Sequence, residues 1–180
     1  MSATRDQLLR AAADFLGRRP NATQDEIAAA VGVSRATLHR HFSGRLALTE
    51  ALEDLAINEM RKVLASVQLQ EGSATDALRR LVSACQPVSP YLALLYSQSQ
   101  ELDADNTQDA WLEVDTEITS LFQRGQRDGE FRPDLTAAWL TEVFYSLVAG
   151  TAWAIRAGRV AGLDFDRLIT DLMLNGVHTS

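Results

Sequence analysis

Apolar positions along the chain recur every three to four residues, which is the spacing of one face of a helix. Alternation of strand type bounded by turns is missing. Leu8, Leu9, Ala12, Phe15 and Leu16 predict a first helix, capped by Ser2 and running to about Arg18. Gly17-Arg18-Arg19-Pro20-Asn21 breaks it. Thr23-Gln24-Asp25-Glu26 is a capping box opening a short helix over about 24–31, which Gly32 stops. Ser34 caps a further short helix over about 35–42. A long one follows over about 45–69, with Leu48, Leu52, Leu55, Ala56, Val63 and Val67 inward. The same pattern predicts helices from about Ala74, from a Ser89 cap with Pro90 at the first position, over about 108–127, from Pro133-Asp134 to about 157, and from an Asp164 cap to about 175. The expectation is an all-α chain of about nine helices.

Charge divides the chain unevenly. The 180 residues carry 17 Lys and Arg against 24 Asp and Glu, a net −7. Residues 1–45 hold seven arginines and four acids, a net +3, which leaves −10 for the rest. A basic head on an acidic body is expected where one end meets a polyanion. No apolar run reaches the roughly 18–20 residues of a membrane span, and no signal-peptide pattern opens the chain, so the expected compartment is the cytoplasm. The single cysteine, Cys85, cannot form an intrachain disulfide. No metal-ligand spacing, phosphate loop or nucleophile motif is present, so no cofactor, metal or enzymatic activity is expected.

The segment TQDEIAAAVGVSRATLHRHF, residues 23–42, carries the functional signal. Two short helices joined by a Val-Gly-Val turn follow the helix-turn-helix plan. Ile27, Ala28, Val31, Val33, Leu38 and Phe42 form its small core. Arg35, Ala36, Thr37, His39, Arg40 and His41 are left outward, with no acid among them, which suits a DNA major groove. His39 and His41 point about 200° apart on a helix, so they do not chelate one metal ion.

Over residues 10–51 the sequence resembles the N-terminal DNA-binding domain of the TetR family of transcriptional regulators. Where that family commonly has Tyr this chain has His39, and where it usually has Lys the chain has Arg45. The resemblance implies a helix-turn-helix head over residues 1–46 and a ligand-binding and dimerisation body over 47–180. It also implies a homodimer on near-palindromic double-stranded DNA, most often a repressor released by a small-molecule effector. The competing expectation is a dimeric ligand- or protein-binding module that no longer reads DNA.

Arg35, Thr37 and Arg40 are assigned to base readout, Ala36 to the DNA-facing surface beside them, and Gln24, His39, His41 and Arg45 to phosphates, aided by the positive ends of the second and fourth helices. His41 has the alternative of packing on the turn. Arg5 and Arg10 either touch flanking DNA or are solvated. Cys85, Tyr91, Tyr96, Trp111, Phe122 and Tyr145 are the candidate pocket residues. The middle helices lack an Arg or Lys cluster, which points to a neutral or cationic apolar effector. Trp139, Val143, Leu147, Thr151, Leu168 and Leu172 form the candidate dimer face, where two helices per subunit pack into a four-helix bundle. The alternative is that they only close the subunit's own core.

Overall fold

The computed structural model describes residues 4–99 and 109–177. Among them all regular structure is helical. The nine α-helices are α1 (Arg5–Arg18), α2 (Gln24–Ala30), α3 (Arg35–His41), α4 (Arg45–Val67), α5 (Ala74–Cys85), α6 (Ser89–Ser99), α7 (Asp109–Arg127), α8 (Ala137–Arg156) and α9 (Phe165–Val177). Short 3-10 turns at Gln86–Val88 and Gly162–Asp164 lead into α6 and α9.

Three helix starts differ from the sequence expectation. Thr4 caps α1: its hydroxyl accepts from the Gln7 N–H, and the Gln7 side chain accepts from the Thr4 N–H. Ser2, the expected cap, lies outside the described residues. Ser89 is already helical, because the 3-10 turn after α5 delivers the chain in helical conformation, and its hydroxyl donates to the Gln86 carbonyl at 2.8 Å. Pro133-Asp134 forms a turn rather than a helix start. Arg132 holds Asp134, and Thr136 caps α8 by accepting from the Trp139 N–H at 3.2 Å. Asp164 closes the 3-10 turn before α9, and Arg167 donates to its carboxylate at 2.9 Å.

Two cores lie along α4. Its first half, Leu48 to Leu55, packs with Leu8, Leu9, Ala12, Leu16, Ile27, Leu38 and Phe42. Its second half, from Met60 to Val67, packs with α5, α7, α8 and α9 around Leu78, Leu81, Ile118, Phe122, Phe144 and Phe165. Head and body therefore share one rigid helix, with no linker between them. Further ties cross the joint. Leu94 of α6 is buried in the head core, and Arg10 donates to Glu59 at 2.9 Å.

The α4–α5 turn is fixed from outside itself. Gln68 sits at φ +49°, Arg80 donates to the Val67, Gln68 and Glu71 carbonyls, and Arg124 donates to those of Leu69 and Gly72. The Glu130 carboxylate, from the turn after α7, accepts from the Ala74 and Thr75 N–H groups, each at 2.8 Å. A distant carboxylate thus satisfies donors at the start of α5 that no intrahelical acceptor reaches.

Candidate nucleic-acid interface

Local chemistry fixes the angle between α2 and α3. Thr23 and Glu26 form the expected capping box: the Thr23 hydroxyl accepts from the Glu26 N–H, and Glu26 accepts from the Thr23 N–H at 2.8 Å. These hydrogen bonds to Thr23 hold the Glu26 carboxyl below its ordinary range. At the other end Gly32 takes φ +75°, with Gly32 N–H to the Ala29 carbonyl at 3.2 Å and Val33 N–H to the Ala28 carbonyl at 3.0 Å. That pair is a Schellman closure, and it needs a residue free to adopt the left-handed region. Ser34 then caps α3 by accepting from the Thr37 N–H at 3.1 Å. Ile27, Ala28, Leu38 and Phe42 are fully buried beneath, with Val31 and Val33 half-buried at the edge. Truncating Leu38 or Phe42 to Ala costs about 3 kcal/mol at sites of this kind.

The outward face of α3 consists of Arg35, Ala36, His39 and Arg40, all exposed, with Thr37 and His41 partly so. Arg35 donates to Asp25 of α2 at 3.2 Å, and both side chains are well exposed. Such a surface pair is worth little and is readily exchanged for another anion. Asp25 brings to this face a carboxylate that inspection of α3 alone did not include; its signal was its place in the first turn of α2. Thr37 Oγ1 lies 3.0 Å from Ser34 Oγ, so its hydroxyl is tied to the cap. The His41 ring sits tilted against Phe42 at 6.4 Å, consistent with packing on the turn. Arg5 lies over the other part of the same cluster, 5.0 Å from the Phe42 ring centroid. Arg10 is turned into the head–body joint, where Glu59, Asp6 and Tyr91 hold its guanidinium.

Two phosphate candidates have distinct surroundings. Gln24 Nε2 is buried and has no acceptor. Arg45 donates to the Ala22 carbonyl at 2.7 Å and to the Pro20 carbonyl at 2.6 Å, which lashes the start of α4 to the α1–α2 loop. Gly44 precedes α4 at φ +126° and supplies no side-chain cap, so the first N–H groups of this 23-residue helix carry no capping side chain. A bare helix start of that kind attracts an anion.

The described candidate pocket residues are buried in the core or half-buried at its edge. Phe122 is completely buried against Phe131, with ring centroids 5.9 Å apart. Cys85 is also completely buried, and burial pushes its thiol up to about 12. Tyr91 is half-buried between the two cores. The Tyr96 side chain lies outside the described residues. Trp111 stands 5.5 Å from Tyr145, whose buried hydroxyl has no hydrogen-bond partner. Burial, then the nearby Asp115, Cys85 and Glu142, raise the Tyr145 phenol above its ordinary value, and burial raises the Asp115 carboxyl. Of the candidate dimer residues, Trp139 and Leu172 are 56% and 61% exposed, while Val143, Leu147, Thr151 and Leu168 are half-buried. Trp153, one of the residues missed by pattern, extends the α8 stripe and lies 4.6 Å beneath Arg159.

Residues 8–52 match the family model described as bacterial regulatory proteins, tetR family. Across 173 residues the chain is 34% identical to the HTH-type transcriptional regulator NfxB of Pseudomonas aeruginosa, spanning 95% of this chain and 92% of that protein. The chain belongs to the tetR family of bacterial regulatory proteins. It is a DNA-binding transcriptional regulator of that family. The HTH-type transcriptional repressor LfrR of Mycolicibacterium smegmatis is 28% identical over 170 residues, covering 94% of this chain and 88% of that protein. The crystal structure of LfrR in complex with proflavine superposes with a TM-score of 0.72 at 25% identity, covering 98% of this chain and 97% of that one. The MbdR regulator from Azoarcus sp. CIB shares the fold at a TM-score of 0.72, 19% identity and coverage of 98% and 100%. No described helix is long and apolar enough to cross a membrane.

Proposed function

We propose that this tetR-family regulator is a homodimeric repressor that reads a near-palindromic operator through α3 and is released by a small-molecule effector. The observation that carries the reading is the α3 face: Arg35, Ala36, His39 and Arg40 project together from a turn held by two caps and a Schellman closure. Arg40 and Arg35 supply bidentate donors for base edges, and Ala36 offers a methyl for thymine. His39 and the start of α4 supply phosphate contacts on either side, and Gln24 joins them by turning its buried amide outward.

The effector seat lies around Trp111, Asp115 and Tyr145. An aromatic ring beside a half-buried carboxyl and an unsatisfied phenol suits a flat apolar cation, which would stack on Trp111 and pair with the Asp115 carboxylate. Proflavine, an aminoacridine cation, in the relative LfrR supports that choice of chemistry. Trp139, Val143, Leu147 and Trp153 on α8, with Leu168 and Leu172 on α9, form the apolar stripe through which two copies pair.

The test is a titration of the chain's own upstream region by fluorescence anisotropy across a salt series. Binding falls steeply with salt as phosphate counterions are released. Arg40→Ala weakens it by about tenfold or more. Salt-independent binding, or an Arg40→Ala variant that binds as tightly as the parent, removes α3 from the interface and favours a module that does not read DNA.

A further inference from the structure

A cleft lies where the end of α1 meets α6, α8 and the turn before α9. It encloses about 270 Å³ and is lined by Asp14 and Arg18 of α1, Pro90 of α6, Ile155 and Arg156 of α8, and Phe165 of α9, among others. Arg156 ends α8 and turns its guanidinium onto α1 at Gly17. A Cβ built on Gly17 would stand 3.1 Å from Arg156 Cζ and closer still to a terminal nitrogen, so glycine is what admits the guanidinium there. Arg156 is half-buried, yet among the described residues it makes no hydrogen bond and no ion pair. A guanidinium has five N–H donors, and those of Arg156 remain open to an acceptor from outside the protein. Burial lowers its proton affinity, Asp14 restores part of it, and Arg18 opposes it. Arg18 also makes no ion pair among the described residues, so two cations and one carboxylate face the cleft over an apolar floor.

We propose that this cleft is a binding site for a small oxyanion with a short apolar tail, a carboxylate or a phosphate monoester. The head group bridges Arg156 and Arg18, and the tail lies on the half-buried Pro90 and Ile155. The charge pairing supplies the acceptors that Arg156 lacks, bidentately in the way guanidinium binds either head group. The volume admits a ligand of only a few heavy atoms beyond that head. Because the cleft joins α1 of the head to α8 and α9 of the body, an occupant holds the two parts in one relative position.

The experiment is nuclear magnetic resonance titration of the full chain with butyrate, butyl phosphate and the neutral 1-butanol, needing neither DNA nor the effector. Saturable shifts at the Gly17 and Gly162 amides are expected with at least one anion, and binding at least tenfold weaker with the alcohol. The anion that binds more tightly identifies the head group. Arg156→Gln weakens binding by tenfold or more, whereas Asp14→Asn, an exposed change that leaves the core intact, tightens it. Equal binding of alcohol and anions, no saturable shift, or unchanged affinity in a folded Arg156→Gln variant overturns the proposal.

Discussion

Glu130 offers a direct measure of how far the body depends on a contact invisible along the chain. Its two carboxylate oxygens accept from the N–H groups of Ala74 and Thr75 at 2.8 Å. A hydrogen bond to a charged group is worth about 1.5–3 kcal/mol, and a carboxylate at a helix N-terminus adds roughly 0.3–1 kcal/mol. Desolvation opposes both, and its burial is partial, so the net loss on Glu130→Ala is about 3 kcal/mol. At this chain length one kcal/mol moves the melting temperature by about 2–4 °C, so a fall of roughly 6–12 °C is expected at pH 7. Burial raises the Glu130 carboxyl, but the hydrogen bonds from Thr75 and Ala74 and the charge of Arg124 outweigh it, and the folded value lies below the ordinary one. The contribution is therefore complete above the unfolded value of about 4.3 and is lost as pH falls through the lower folded value. Calorimetry of parent and variant from pH 7 down to pH 3 checks both statements. A melting difference under about 2 °C at pH 7, or one that widens as pH falls, refutes the capping argument.

Three further outcomes are expected. Gly125 is buried in α7 with the Phe131 ring where its Cβ would go, Cγ standing 2.8 Å away, so Gly125→Ala should destabilise by about 1–3 kcal/mol in urea unfolding. A variant as stable as the parent would mean that Phe131 relocates freely. Arg45→Ala should lower head stability by about 2 kcal/mol through its two lost carbonyl contacts, seen as a lower urea midpoint without DNA present. An unchanged midpoint would leave Arg45 with no structural role. Leu172→Glu combined with Trp139→Glu places charge on the exposed α8–α9 stripe and should yield monomers in sedimentation at micromolar concentration, with helical content retained. Persistent dimers would move the interface elsewhere.

The head was legible in the sequence because its determinants are local. The Thr23–Glu26 box, the Gly32 closure and the Ser34 cap each act over three to five residues, and all three form as the residue types require. The helices of the body were legible from periodicity for the same reason. Their starts at Thr136 and Ser89 were less so, because Pro after a Ser or beside an Asp reads alike whether the chain enters a helix or is already turning.

What the sequence determined by itself is thus the all-helical class, the helix-turn-helix and which face of α3 points outward: helix geometry and capping require nothing beyond neighbours in the chain. Tertiary structure alone decided that α4 serves both cores, that Arg45 turns back onto Pro20 and Ala22, that Glu130 caps a helix more than fifty residues earlier in the chain, and that Arg156 rests unpaired on Gly17. Each of these joins residues far apart in sequence. Their distances follow from how whole helices pack, and no spacing pattern records that.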